Sequence, residues 1–271
     1  MNTKTSKSKK FWLRLLPISF CLVLTLGITT VGCANNQQNQ ANQSNNSAKT
    51  ELTEQQKNQP ATNIILLRHG QTDYNVADRL QGHTDIPLNS TGISQAEALA
   101  TYLKDVKIDV YISSPLSRAK VTGEKVAASH GATIAKTDDR LKEIDYGDWT
   151  GWYKKDLKEQ KADDWKQWEE HPESWKMPNG ESAEELGTRG AAALQDYANE
   201  YAGKTVLVAA HSLLNQATLC KILGLGFDHF YDFAQDNTSF SVFRYEKGKW
   251  TLLTWNDIPH TGKVAKDIPL K

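Results

Sequence analysis

The chain has 271 residues, room for one large domain or two small ones, and its 32 basic residues balance 32 acidic ones. That neutrality is uneven: the first 32 residues hold five basic and no acidic side chains, leaving 27 basic against 32 acidic and a net charge near −5. Such a balance excludes nucleic acid as the main partner. Of the three cysteines, only Cys220 lies beyond residue 33, so no disulfide framework is expected in the globular part.

In chain order, Lys4, Lys7, Lys9, Lys10 and Arg14 form a basic start, and the apolar run "LLPISFCLVLTLGITTVG" follows and stops at Cys33. Residues 1–32 therefore read as a signal segment. Gly32-Cys33 is similar to the lipobox of bacterial lipoproteins, with Thr30 where leucine is usual. The resemblance implies a diacylglyceryl group on the Cys33 thiol and cleavage that makes Cys33 the mature N-terminus. The expected location is the cell membrane, lipid-anchored at its extracytoplasmic face; an uncleaved N-terminal anchor would place the folded part on the same side. Residues 33–60, rich in Asn, Gln and Ser, contain almost nothing that could enter a core and read as a flexible tether. A coil of this length reaches about 30 Å end to end.

From residue 61 to 271 strand and helix patterns alternate. "NIILL" (63–67) is a short continuous apolar run, as in a strand buried on both faces. Helical spacing follows over 92–106, and "DVYIS" (109–113) is strand-like. Ser114 and Pro115 are expected to cap and open a helix to about Ala128. "ATIAKT" (132–137) is a weaker strand, and Ser182 caps an Ala-rich helix to about Tyr201. "KTVLVAA" (204–210) is a further apolar strand before the helix "SLLNQATLCKILG", and period-two alternation around Lys247-Gly248 predicts a hairpin. The expected fold is α/β: a three-layer sandwich with a mainly parallel sheet, helices on both faces and an antiparallel edge hairpin. Residues 149–181 break the alternation with five tryptophans and read as a small helical cap insertion.

Ligands of open parallel sheets bind beyond the carboxyl ends of the strands. Here the three strongest strands end in Arg68-His69, in Ser114 to Arg118, and in His211-Ser212. Two histidines and two arginines gathered at one crevice repel one another unless an anion sits among them. A phosphoryl group is the natural anion, since the arginine fork matches its oxygens and helix N-termini supply N–H donors. A carboxylate ligand is the other choice, but paired histidines suggest chemistry rather than capture.

At these residues the chain resembles the histidine phosphatase superfamily, the phosphoglycerate mutase-like family. "LRHGQTDYN" carries its RHG motif, and "QGHTDIPLNSTGISQA", "SSPLSRAKVT", "LKEIDYGDWTGW", "PNGES" and "AAHSLLNQA" match in order over about residues 62 to 257. Ser212 departs from the glycine that often follows the second histidine. The resemblance implies catalytic roles for His69 as nucleophile through a phosphohistidine, Glu143 as general acid and then base, and His211 beside them. Arg68, Arg118 and His211 would hold the phosphoryl oxygens, with Asn75 adding a neutral donor and Thr72 and the Ser212 backbone in support. It implies a phosphatase acting on small phosphate monoesters, with no cofactor and no metal. Competing readings are a phosphoglycerate mutase-type phosphotransfer and a lipoprotein that binds phosphate esters without turnover. The sequence leaves the physiological substrate and the oligomeric state open.

Overall fold

The computed structural model describes residues 58–262. The signal segment, Cys33 and the tether up to residue 57 lie outside the described residues. The last tether residues belong with the domain: the Gln59 amide donates to the Asn199 carbonyl at 3.0 Å.

Six strands form one sheet in the order β3-β2-β4-β1-β5-β6. They are β1 (Thr62–Arg68), β2 (Val110–Ser113), β3 (Lys136–Thr137), β4 (Thr205–Ala210), β5 (Phe240–Glu246) and β6 (Lys249–Asp257). β3, β2, β4 and β1 run parallel, whereas β5 is antiparallel to β1 and β6 to β5. The edge hairpin turns where expected, with Lys247 and Gly248 both at positive φ as a two-residue turn requires.

The apolar strands bury both faces because successive side chains alternate between them. Ile65, Leu67, Tyr111 and Leu207 pack with Leu99, Leu103 and Val126. These come from α2 (Ser90–Leu103) and α3 (Ser117–Ser129), which follow the one-turn helix α1 (Asp73–Val76). Ile64, Leu66, Ile112 and Val206 pack on the other face with Leu186, Leu194, Leu214 and Leu219. Those side chains belong to α6 (Ala183–Glu200) and α7 (Ser212–Leu223). Ser182 caps α6 in a capping box with Glu185, as its sequence predicts.

Two local expectations change. Ser114 and Pro115 do not open a helix: α3 starts at Ser117, after Leu116. The reason is that the Ser114 N–H still bonds to the Ala209 carbonyl at 2.9 Å, extending the sheet one residue beyond β2 before the chain turns. The strand expected over 132–137 shrinks to β3, because the Ala132 N–H bonds back to the Ala127 carbonyl and finishes the preceding helix.

The 149–181 insertion is a helical cap with α4 (Lys154–Gln160) and α5 (Ala162–Glu170). Its tryptophans pack together, Trp149 lying 5.9 Å from Trp165 and 5.0 Å from Trp175 between ring centroids. Trp168 docks edge-on against Phe230 at 6.0 Å.

Candidate active site

Register places the site. Arg68 pairs with Ala210 across β1 and β4, and Ser113 with Ala209 across β2 and β4, so three strands end level. The next residues, His69, His211 and Ser114, therefore meet. A cavity of about 290 Å³ opens there, lined by Arg68, His69, Asn75, Arg118, Glu143 and Ser212 among others.

His69 is buried, and its Nδ1 lies 2.7 Å from the Gly70 carbonyl. A carbonyl can only accept, so the proton sits on Nδ1 and Nε2 carries the lone pair. Burial, then the charges of Arg118 and Arg68, push the His69 pKa well below its ordinary value, which keeps the ring neutral. Gly70 is required by close packing: a Cβ there would stand 2.6 Å from the carbonyl oxygen of Gly92 in α2.

Arg68 donates through Nη1 to the Gln235 carbonyl. Arg118 is fully buried and donates to the carbonyls of Gly82 and Thr84 at 2.8 and 2.9 Å, which explains the "QGHTD" stretch as its holder. Burial lowers both guanidinium pKa values, that of Arg118 to about 10. Concentrated positive charge facing a cavity is an anion site.

Glu143 is buried and seated on the start of α7. Its Oε1 accepts the N–H groups of Ile144 and Leu214, each at 3.0 Å, and Oε2 that of Leu213 at 3.3 Å. These bonds use helix N–H groups that sequence reasoning assigned to the phosphoryl group. The loop carrying Glu143 is tied down by Arg189, which donates to the carbonyls of Arg140, Lys142 and Glu143 and pairs with Glu181 at 2.6 Å. Glu181 in turn accepts the Asp145 N–H at 2.8 Å, and a Cβ on Gly180 would lie 2.4 Å from the Asp145 carbonyl oxygen. "PNGES" is thus the brace behind the acid.

Asn75 lines the cavity, with Oδ1 accepting from the Thr72 N–H and hydroxyl and from Asn237. Thr72 does not line it. Its side chain is fully buried, capping α1 and bonding Gln81 at 3.0 Å, which ties it to the lining residues Asn75 and Gln81. His211 is not among the lining residues either: it is fully buried, its ring 5.2 Å from that of His69 between centroids.

Gln81, Tyr146, Arg79 and Lys154 line the same cavity and were not expected there. Arg79 donates to the Gly151 carbonyl and lies over the Tyr74 and Tyr153 rings. Gln81 lies in a motif that was visible in the sequence, whereas Lys154 belongs to a cap without a readable code. Among the described residues, no group of three or more His, Cys, Asp or Glu is placed to hold a metal ion.

An α/β domain gathers two histidines, two arginines and a carboxylate beyond the carboxyl ends of its parallel strands, an arrangement suited to an anion. A family model for the histidine phosphatase superfamily, branch 1, matches residues 64–258, and the chain belongs to that family. It is 32% identical over 200 residues to phosphoserine phosphatase 1 of Hydrogenobacter thermophilus, covering 74% of this chain and 94% of that protein. The structure of phosphoserine phosphatase from Entamoeba histolytica, in complex with 3-phosphoglyceric acid, is similar with a TM-score of 0.66 and 28% identity, covering 73% of this chain and 98% of that one. A mycobacterial glucosyl-3-phosphoglycerate phosphatase gives a TM-score of 0.67 and 28% identity over 72% of this chain and 99% of that one.

Proposed function

We propose that the protein is a metal-independent phosphomonoesterase that hydrolyses small phosphate esters through a phosphohistidine at His69, held by a lipid on Cys33 at the extracytoplasmic face of the cell membrane. The observation that carries the chemistry is the neutral His69 ring, its Nδ1 proton held by the Gly70 carbonyl, beside the half-buried Arg68 and the fully buried Arg118. The Nε2 lone pair attacks phosphorus as the ester P–O bond breaks. Arg68 and Arg118 stabilise the charge spread over the phosphoryl oxygens. Glu143 Oε2, the oxygen with the longer hydrogen bond, delivers a proton to the departing alkoxide. Water then attacks the phosphohistidine, gives its proton to Glu143, and the N–P electron pair returns to Nε2.

The location rests on the basic-plus-apolar start and Gly32-Cys33 alone. Arg79 and Lys154 have no acidic partner among the described residues and suit a leaving group that bears its own negative charge.

Rapid quench of the purified protein with ³²P-labelled substrate at alkaline pH, where phosphohistidine survives, is expected to trap label on His69. His69→Ala should lose both trapping and phosphate release, and activity should persist in excess chelator. A fully active His69→Ala protein, or activity lost in chelator and recovered with a divalent ion, overturns the mechanism.

A further inference from the structure

We infer that Ser114 is a positioning residue that sets the tautomer of His211, its hydroxyl donating to Nε2 so that the ring proton stands on Nδ1 for the phosphoryl group carried by His69. The inference rests on the phosphohistidine mechanism proposed above.

Ser114 was expected to cap a helix, and that role is vacant: α3 has no side-chain cap. The side chain is instead fully buried, with Oγ 2.9 Å from His211 Nε2. That contact joins residues 97 positions apart in sequence. It follows from β2 and β4 ending level, with the Ser114 N–H on the Ala209 carbonyl. Oγ also accepts the Leu116 N–H at 3.3 Å, which leaves its own proton available to donate to His211. His211 Nδ1 is buried and has no protein partner among the described residues.

A neutral imidazole has one N–H and one lone pair, and an anion is stabilised only by the N–H. Burial, followed by the guanidinium groups of Arg118, Arg189 and Arg68, disfavours a second proton on His211. With the proton on Nε2, the ring would face phosphoryl oxygens with a lone pair. With Ser114 donating to Nε2, Nδ1–H is the donor, and the buried nitrogen gains the partner it lacks. Because His211 neighbours His69, which lines the cavity, its N–H serves the phosphoryl group that His69 carries and not the leaving group.

The test combines ¹⁵N-histidine NMR of the whole protein with single-turnover kinetics on nitrophenyl phosphate. In the wild type, His211 should show a protonated Nδ1 and an unprotonated Nε2 at neutral pH. Ser114→Ala should mix the tautomers and slow phosphoenzyme formation by about 10- to 100-fold, the loss of one hydrogen bond to a charged group. KM should change much less, and Ser114→Thr, which keeps a hydroxyl, should recover most of the rate. A wild-type His211 protonated on Nε2 overturns the inference without any variant, as does Ser114→Ala with unchanged tautomer and rate. If His69 never carries phosphate, the proposed function fails instead, and the tautomer measurement still reads the Ser114–His211 pair by itself.

Discussion

Glu143 Oε1 accepts the backbone N–H of Leu214 at 3.0 Å, so the carboxylate stands on the first turn of the helix that follows His211. One helix start therefore holds the acid and the second histidine at neighbouring positions. The N-terminal end of a helix favours a carboxylate, and its N–H groups fix the direction in which the oxygens point.

Glu143→Gln is expected to lose far more phosphorylation rate on alkyl phosphates than on nitrophenyl phosphate. An alkoxide must be protonated as it leaves, a contribution of typically 10²–10⁴-fold, whereas nitrophenolate departs unaided. Single-turnover formation of the phosphoenzyme is the measurement, because the variant also impairs the attack of water. Equal slowing on both substrates would falsify this role and shift attention to Asp145 or Asp148.

Lys154→Ala should also discriminate between leaving groups, through binding and not through the rate of phosphorylation. Lys154 is half-buried at the cavity and its ammonium lies 6.0 Å from the Trp165 ring centroid. KM for an alkyl phosphate with a carboxylate should rise roughly twofold to fivefold, the size of a partly exposed ion pair. KM for nitrophenyl phosphate should hold steady. Parallel changes on both substrates argue against a charged leaving group.

Stability should fall as the solution is acidified below about pH 6.5, the ordinary histidine value. His69 and His211 both have folded-state pKa values depressed well below it, first by burial and then by positive neighbours. Between the two values the unfolded chain binds protons that the native chain refuses, so the native state loses up to about 1.4 kcal/mol per pH unit for each proton. The loss begins near the unfolded value and continues down to the folded one. Urea unfolding at pH 7.5 and pH 5.0 should show it, and His211→Asn should weaken the dependence. An unchanged slope in that variant would mean other groups govern the acid side.

Cys33→Ala should abolish lipid attachment and lipoprotein-type processing. The wild-type protein is expected to partition into detergent and to carry a diacylglyceryl mass at Cys33. An intact protein whose mass shows no lipid there removes the anchor from the proposal.

The strands β1, β2 and β4 were legible in the sequence because continuous apolar runs can only be satisfied by burial on both faces. Arg68 and His69 were legible as a candidate site because polar, nitrogen-rich side chains at the end of such a run have nowhere to go but the crevice. Ser182 announced its helix, since a cap bonds to a residue three positions on. Ser114, by contrast, looked like a cap on the same local grounds, and only the register of β2 against β4 turned it toward His211. Thr72 matched a motif, yet the packing of Gln81 decided that it braces the site from behind. Arg189 gave no signal as a brace, because the loop it holds lies 46 to 49 residues away and is gripped through backbone carbonyls that every residue possesses. Local pattern determines where elements begin and which faces they bury. Which side chains then meet depends on contacts across long stretches of chain, which exist only once the sheet is assembled.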